Sequence, residues 1–568
     1  MDPFALVLQF LCLWGILYAV VFAAKFYCTT KESGRRRKSS TNDGILPTFS
    51  TEEAADQWSI NLFQIKYTTQ KCNNLFQRLA HAAPRFWQIW FSIGTIVALA
   101  VMAVGLVVIA YAAWRIIAVL WYALRPTATT TDTSNAIISP PNRFAKRAFE
   151  QDVNNDVATS MVDDGGDNGG QVFQPMIPGI TVPLSHLGYY LLALLVCGVF
   201  HEAGHAIASY CQRVRIKSAG VFMYYIYPGA FVNIPDQALS LLSPFNQLKI
   251  ICAGVWHNIV LYLWVLFFLS GGLKLCLLLV GWQSLEGLGG VSVVSVRQDS
   301  PLVYHLPTSS IVYQLNDFVL DDNIASWNTY LLDSEQRHEP QQGFCASNTT
   351  RSNDTTCCDI DDDYPFGRSS NTSISCFRDF HPTTTSEPEW TLCLPTTQVL
   401  VSQDAKRCSS DADCQSADQC VTPHTPSTRG QFVRVYIKSS PSNIENSGAF
   451  VFEGELVDIW ESVKVGILHP RFWFLPVWIP HTVELFLRYI SSFTLALALL
   501  NILPAFQLDG EFALGQLLAL VLRHGPQSPL STGHTTPSQH YTRRIVKVTS
   551  AVVGFVIIGS ILLGVAQQ

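Results

Sequence analysis

Charged side chains are scarce in this chain. Lys, Arg, Asp and Glu make up 14% of its 568 residues and apolar residues make up 48%, whereas charged residues are about 25% of an ordinary soluble domain. Its basic residues are scattered apart from the run at 35–38, and its net charge is -6. These values exclude the concentrated basic surface that binds nucleic acid. A mean hydropathy of +0.22 instead predicts a membrane protein.

A basic segment is also missing ahead of the first apolar run. Residues 4–24 follow Asp2 rather than the positively charged region of a cleavable signal peptide, so the run predicts a retained transmembrane helix. The stretch 86–124 is broken only by Arg115 and fits either one long crossing with an interfacial extension or two short crossings. We therefore expect a polytopic α-helical membrane protein with about six or more transmembrane helices. The other predicted crossings are 183–210, 250–273, 489–508 and 545–565.

Cysteine usage divides the chain. Seven of the fifteen cysteines are dispersed through the apolar N-terminal half, whereas eight fall within 76 residues of a polar stretch. An even number predicts a disulfide framework, although sequence cannot choose among the pairings, and a cytosolic zinc cluster is the alternative. Three N-x-S/T glycosylation sequons, at Asn348, Asn353 and Asn371, lie in the same stretch and favour an oxidising lumen. The eight cysteines are Cys345, Cys357, Cys358, Cys376, Cys393, Cys408, Cys414 and Cys420.

The segment 201–205 places three ionisable side chains inside apolar sequence and reads His-Glu-Ala-Gly-His. His201 and His205 are four residues apart, so on an α-helix both imidazoles project from one face and can reach one Zn²⁺. Glu202 lies about 100° round the same turn, where it can act on a water without being a ligand. One ionisable group near the centre of a bilayer costs about 2.5 to 3.5 kcal/mol, so three indicate a function. The alternative is a helix end just outside the membrane, with both histidines satisfied by backbone or water.

Catalytic zinc requires a third protein ligand and an open position, and the segment 501–510 offers that ligand. The basic cluster 213–217 places the end of the histidine helix at the cytosolic face by the positive-inside rule. The chain then crosses to the lumen and back, so Asp509 returns to the same face. Asp509 is therefore the best-placed third ligand. Alternatively it caps the amphipathic stretch 510–522, and both roles are compatible.

Two further segments differ in composition from the predicted membrane crossings. Residues 126–181 form a low-complexity linker, with a Thr run followed by an acidic, Gly-rich stretch. Residues 220–235 are aromatic, uncharged and broken by Gly and Pro, which fits either a re-entrant strand that an extended peptide could join or ordinary interfacial packing.

The predicted parts are an N-terminal transmembrane region (1–125), the linker (126–181), a membrane core (182–287), a luminal part (288–470) that contains a Cys-rich insert (343–422), and a second membrane core (471–568).

The pair HEAGH (201–205) and N-x-x-P-x-x-x-L-D-G (501–510) resembles the site-2 protease family of intramembrane zinc metalloproteases. YPGAFV (227–232), AGVWHN (253–258) and the Cys-rich stretch 343–395 are similar to animal members of that family. The resemblance implies that one catalytic Zn²⁺ is held by three side chains. By the same resemblance these ligands would be His201, His205 and Asp509, Glu202 would be the general base, and Asn501 would hold the substrate backbone or polarise its carbonyl.

The resemblance also implies a PDZ-like domain, formed by the parts of 288–470 that flank the insert. The implied activity is cleavage within transmembrane segments of membrane-tethered transcription factors, after a first luminal cut, in sterol and ER-stress signalling. The protein would span Golgi or endoplasmic reticulum membranes, with its active site near the cytosolic face and the insert in the lumen. A catalytically silent receptor or metal-handling protein is the alternative, but intact Glu202 argues against it because a pure binding site needs no base. A transporter with a luminal sensor is the third possibility.

Overall fold

The computed structural model of the chain contains two compact units. The first includes the described residues of 1–146, 183–269 and 485–566, and the second includes the described residues of 270–484. Most of the predicted crossing 4–24, the whole linker 126–181 and the three sequons lie outside the described residues. The described residues are 14–16, 18–20, 22, 57–61, 63–123, 183–333, 342–347, 356–358, 368–369, 374–380, 391–402, 405–415, 418–424, 431–440, 443–522 and 537–566.

The longest helices form in long apolar runs with few charges, whereas the other helices are short or more polar. In chain order they are α1 (Lys71–Ala82), α2 (Pro84–Ala123), α3 (Leu187–Cys211), α4 (Asp236–Ser240), α5 (Pro244–Ile251), α6 (Ala253–Phe267), α7 (Leu273–Val280), α8 (Asn323–Leu332), α9 (Thr396–Leu400), α10 (Leu456–Ser462), α11 (Ile479–Ile502), α12 (Asp509–Val521) and α13 (Pro537–Ala566).

Five helical segments among the described residues are long and apolar enough to cross a membrane. The stretch predicted as one or two crossings is the single helix α2, whose 40 residues extend for about 60 Å. That length fits one crossing of a hydrocarbon core about 30 Å thick with an extension beyond it. The predicted count of six or more included 4–24, so it stays a prediction. The five spans are Pro84–Trp121, Leu184–Cys211, Ala253–Val280, Ile479–Ile502 and Gln539–Leu563.

Several predicted helix boundaries differ from the structure: α11 ends at Ile502 rather than 508, α13 begins at Pro537 rather than 545, and two further differences have a clear physical cause. The crossing predicted at 250–273 continues to Val280 through a π-helical kink, where Gly271 has a φ of 119° that favours glycine. The crossing predicted to begin at 489 begins ten residues earlier, at Ile479. The sequence does not show this start as a charge-free run, because Glu484 and Arg488 lie in the first turns of α11. Long charged side chains near a helix end can reach the membrane surface.

A four-stranded antiparallel sheet belongs to the first unit, with the order β1-β2-β3-β4. The segment 220–235 forms most of the β3–β4 hairpin, closed by a two-residue turn in which Tyr225 has a φ of 53°. It therefore contains strands, as the re-entrant interpretation expected. Because β4 is at the end of the sheet, its outer edge is not paired with another strand of this sheet. The strands are β1 (Gln57–Asn61), β2 (Gln64–Thr69), β3 (Ser218–Tyr224) and β4 (Tyr227–Asn233).

The second unit is β-rich. Its largest sheet has the order β10-β16-β15-β7-β6-β17, with β8 paired to β7. Strand β6 contributes Val291 and Val293, which are fully buried with Leu302 in the core of this sheet. The bounds are β6 (Val291–Val296), β7 (Ile311–Leu315), β8 (Phe318–Val319), β10 (Arg368–Ser369), β15 (Gln431–Ser440), β16 (Asn443–Gly454) and β17 (Val463–Gly466). A separate pair joins β5 (Trp282–Ser284) to β18 (Leu468–Pro470).

The Cys-rich insert forms its own five-stranded sheet, with the order β12-β11-β14-β9-β13. All eight cysteines of the insert form disulfide bonds, so they are not ligands of a zinc cluster. The pairs are Cys345–Cys414, Cys357–Cys393, Cys358–Cys376 and Cys408–Cys420. The strands are β9 (Gly343–Ser347), β11 (Ile374–Asp379), β12 (Thr391–Pro395), β13 (Arg407–Cys408) and β14 (Asp418–Pro423).

An ion-pair cluster ties the insert to the larger sheet. Asp317, between β7 and β8, accepts a hydrogen bond from Arg434 Nη2 at 2.6 Å and another from Arg407 of the insert. Burial raises the pKa of the Asp317 carboxyl, but the two guanidinium groups outweigh burial and hold this pKa below its usual range. The stability that Asp317 contributes is therefore present above its unfolded pKa and is lost as pH falls through its folded pKa.

Candidate metal centre

Helix α3 carries two histidines on its buried face. His201 and His205 are 6% and 8% exposed, and their Nε2 atoms lie 3.1 Å apart. The four-residue spacing places one imidazole above the other, as a helix requires. Gly254 of α6 passes directly beside them, because a Cβ built on it would lie 2.4 Å from His205 Nε2. Only a residue without a side chain fits at that position.

Asp509 reaches the histidines from the start of α12, 308 residues after His201. Its Oδ2 is 3.1 Å from His201 Nε2 and 3.3 Å from His205 Nε2. The residue at the N-cap of α12 is Leu508, so Asp509 is the first residue of the helix and not its cap. Gly510, the second residue of α12, permits a close approach to the end of α11, since a Cβ there would lie 2.1 Å from the Ile502 carbonyl oxygen.

The three donor atoms form a triangle of the size that zinc requires. In a tetrahedral site with ligand distances of about 2.0 to 2.1 Å, the donors lie about 3.3 Å apart. Here the three separations are 3.1, 3.1 and 3.3 Å. Two imidazoles and one carboxylate are zinc ligands, and three protein ligands leave the fourth position for water or substrate. The donor set therefore fits one catalytic Zn²⁺.

Hydrogen bonds at the second ring nitrogen set the tautomer of each histidine. His205 Nδ1 lies 2.8 Å from the carbonyl oxygen of Ile250, which can only accept, so this nitrogen carries the proton. His201 Nδ1 lies 3.2 Å from the amide of Asn258. Asn258 Oδ1 is buried and has no partner among the described residues. Half a rotation of the amide lets this oxygen accept the His201 Nδ1–H. Both histidines then direct an unprotonated Nε2 towards Asp509 Oδ2.

Glu202 lies beside the three donors without being one of them. Its Oε2 accepts the backbone N–H of Val232, on β4, at 3.0 Å. Tyr224 pairs with Tyr227 across the two-residue hairpin turn. Residues 228, 230 and 232 therefore direct their backbone polar groups away from β3. The carboxylate is thus held at the outer edge of β4, next to the imidazoles.

Asn501, near the end of α11, is the last of the predicted side chains. Its Nδ2 is 3.4 Å from His201 Nε2. An amide N–H at this point can donate to an oxygen that occupies the open side of the donor triangle. The structure thus brings all five candidate side chains, from α3, α11 and α12, to one place.

The profile of Peptidase family M50 matches residues 189–532, more than half of the chain and all five of these side chains. The chain belongs to peptidase family M50. A curated relative, the membrane-bound transcription factor site-2 protease homolog of Arabidopsis thaliana, is 28% identical over 380 residues, which cover 59% of this chain and 70% of the relative. The resemblance predicted from the paired motifs is therefore confirmed.

Membership of M50, the site-2 protease family, indicates a membrane-embedded protease of the metallo type. M50 proteases are typically zinc-dependent, in agreement with the spacing of the three donors. The candidate membrane spans agree with a multi-pass membrane protein. The β-rich, disulfide-containing second unit fits a domain inserted between membrane segments.

Two residues of this M50 centre were not predicted to belong to it. Gly254 and Asn258 lie in AGVWHN, a segment noted in the sequence only for its similarity to family members. Their spacing of four residues places them on one face of α6, and a glycine followed one turn later by a polar amide in an apolar helix is the signal that could have found them. The Ile250 carbonyl and the Val232 N–H are backbone groups, which no side-chain pattern reveals.

Proposed function

We propose that this M50 protein hydrolyses a peptide bond within the membrane-spanning segment of other membrane proteins. The observation that carries the proposal is the triangle of donors at zinc-ligand spacing, with the Glu202 carboxylate beside it. A metal-storage or receptor site would need the three donor atoms but not the Glu202 general base. The further alternative of a transporter would need ionisable groups along several helices.

The chemistry divides among five side chains. When bound, zinc acts as a Lewis acid that activates a water and polarises the scissile carbonyl. His201, His205 and Asp509 hold the metal and leave one side open. Glu202 takes the proton of the attacking water and returns it to the leaving amine. The Asn501 amide donates to the oxygen on which negative charge develops.

The substrate segment must be extended where it is cut. A helix hides its carbonyls in i to i-4 hydrogen bonds, so the segment unwinds first, and Asn, Pro or Gly would ease this step. The outer edge of β4 offers backbone groups to which an extended peptide can pair. Because Glu202 contacts Val232 at that edge, a peptide paired with β4 would lie next to the general base.

The physiological setting follows from family resemblance. The substrates would be membrane-tethered transcription factors of sterol and ER-stress signalling, already cut once in the lumen, in Golgi or endoplasmic reticulum membranes. The plant relative is named a membrane-bound transcription factor site-2 protease homolog. Four disulfides support a luminal position for the insert 343–422 and glycosylation of its sequons. The larger sheet of the second unit would then be the PDZ-like domain, and the metal centre would lie near the cytosolic face.

Metal removal tests the proposal. We expect purified full-length protein in detergent micelles to cleave a synthetic transmembrane segment that contains Asn and Pro. Cleavage should stop when a zinc chelator has removed the metal and should return with one equivalent of Zn²⁺ but not with Mg²⁺, because Mg²⁺ prefers oxygen ligands. Cleavage by metal-free protein would contradict a zinc mechanism. A zinc-loaded protein that cleaves no transmembrane segment would support the silent metal-binding alternative.

Asn258 provides a second test, on metal affinity. Asn258→Leu removes the oxygen that fixes the His201 tautomer, and second-sphere changes of this kind weaken metal binding by about 10- to 100-fold. Asn258→Asp keeps an acceptor oxygen and should retain most of the affinity. Competition with a chromophoric zinc chelator measures the zinc affinity of both variants independently of their activity. Equal affinities for the Leu and Asp variants would show that Asn258 does not orient His201.

A further inference from the structure

A cavity in the second unit is lined in part by the two chain segments that adjoin membrane spans. The span Ala253–Val280 ends directly before Gly281, and the span Ile479–Ile502 begins directly after Trp478. Strand β5 follows the first span, strand β18 precedes the second, and the two strands pair. The Arg471 N–H also donates to the Gly281 carbonyl. Chain continuity therefore places this pair of strands at the boundary of the membrane.

The cavity beside the two strands has a volume of about 610 Å³. Its polar wall includes Gln283, Thr308, Ser309 and His469. Another part of the lining, its aromatic wall, includes Phe472, Trp473 and Trp478. A volume of this size falls within the range of small-molecule sites, about 300 to 1,000 Å³. A lining with one polar and one apolar wall suits an amphiphile.

The aromatic wall continues into an exposed aromatic surface, whose contact with water is unfavourable. Trp473 is 97% exposed, and Phe472, Phe474 and Trp478 are also exposed. Four large aromatic side chains within seven residues, immediately before a membrane span, match the aromatic belt at membrane interfaces. The rim of the cavity is therefore at the depth of lipid headgroups.

One cationic side chain belongs to the described lining of the cavity. Arg471 contributes to the lining, and none of the described lining residues is acidic. Burial lowers the pKa of the His469 imidazole below its usual range, so this ring is neutral at pH 7. Arg471 is exposed and carries the formal charge of the lining. A guanidinium group pairs well with phosphate, to which it can donate two parallel hydrogen bonds.

We propose that this cavity binds the headgroup of an anionic phospholipid from the leaflet that contacts the second unit. Arg471 pairs with the phosphate, the hydroxyl and amide groups of the polar wall contact the rest of the headgroup, and the aromatic wall packs on the glycerol and upper acyl chains. This binding does not depend on proteolysis. It would anchor the loop 471–478, from which α11 continues towards Asn501.

A lipid titration tests this site. Purified full-length protein in detergent micelles is titrated with fluorescent phosphatidylserine, and binding is followed by anisotropy. We expect saturable binding that Arg471→Gln weakens about tenfold or more, since a charge-assisted hydrogen bond is lost. Thr308→Trp should weaken binding as well by filling the cavity, although the charge is unchanged. Arg297→Gln is the matched control, because Arg297 is an arginine of the same unit outside the cavity lining, and it should bind like the parent protein.

The competing occupants give different results. Phosphatidylcholine should bind more weakly than phosphatidylserine, and inorganic phosphate at the same concentration should not displace the lipid, because it lacks the apolar part. The proposal is overturned if Arg471→Gln and Arg297→Gln bind phosphatidylserine equally, or if inorganic phosphate displaces it fully. Displacement of the lipid by a soluble extended peptide would assign the cavity to a protein segment and would also overturn it.

Discussion

Replacing Glu202 by glutamine is expected to abolish peptide cleavage and to leave zinc bound. Glutamine has nearly the shape of glutamate, but its amide cannot take a proton from water at neutral pH. General acid–base groups contribute about 10²- to 10⁴-fold to a rate, so cleavage should fall by at least that range. Glu202 is not one of the three donors at 3.1 to 3.3 Å spacing, so the zinc content should not change.

The measurement pairs metal analysis of each purified variant with cleavage of a transmembrane segment in micelles. Asp509→Ala is the matched contrast, because it removes a donor and leaves the base intact. This variant should lose both zinc and cleavage. Unchanged cleavage by Glu202→Gln would refute the assignment of the general base. Full zinc content in Asp509→Ala would refute the assignment of the third ligand.

The convergence of His201, His205 and Asp509 could be predicted from sequence because it follows from simple periodicities. Two histidines four residues apart must share a helix face. The return of Asp509 to the same side follows from counting crossings and from the basic cluster 213–217. In the structure the two imidazoles and the carboxylate meet at 3.1 to 3.3 Å, although the two segments are 308 residues apart.

The features that sequence missed depend on tertiary packing or on polar residues at helix ends. α11 begins at Ile479, before its charged residues, because a helix continues through side chains that a hydropathy window rejects. The disulfide pairs depend on which strands of the insert become neighbours, and Cys345 pairs with a residue 69 positions away. Asn258 contacts a histidine of another helix, and its local sequence marks it as a polar residue in an apolar helix without identifying that partner.

Gly254→Ala is expected to disrupt the metal centre although it adds only one methyl group. In a helix interior, alanine is usually more favourable than glycine by about 1 kcal/mol, so α6 itself should not be weakened. The new Cβ would lie 2.4 Å from His205 Nε2 and 2.6 Å from His201 Cε1. Real Cβ atoms do not approach other atoms so closely, so the imidazoles or α6 must move.

Tetrahedral coordination tolerates little movement of this kind. Zn–N distances vary by about 0.2 Å, whereas relief of a contact at 2.4 Å requires a shift of about 1 Å to reach ordinary van der Waals separation. We therefore expect zinc affinity to fall by more than about 100-fold, beyond the usual effect of a second-sphere change, and cleavage to be lost with it. Chelator competition and metal analysis measure the zinc affinity and content, and the micelle assay measures the cleavage.

Gly188→Ala is the matched control for this substitution. Gly188 lies near the start of α3, and a Cβ built there meets nothing within 4 Å. This variant should keep its zinc and its activity, with a stability equal to or slightly above that of the parent. If Gly254→Ala also retains stoichiometric zinc at parental affinity, then α6 does not press against the imidazoles, and the ligand geometry derived from α3 and α12 would have to be revised.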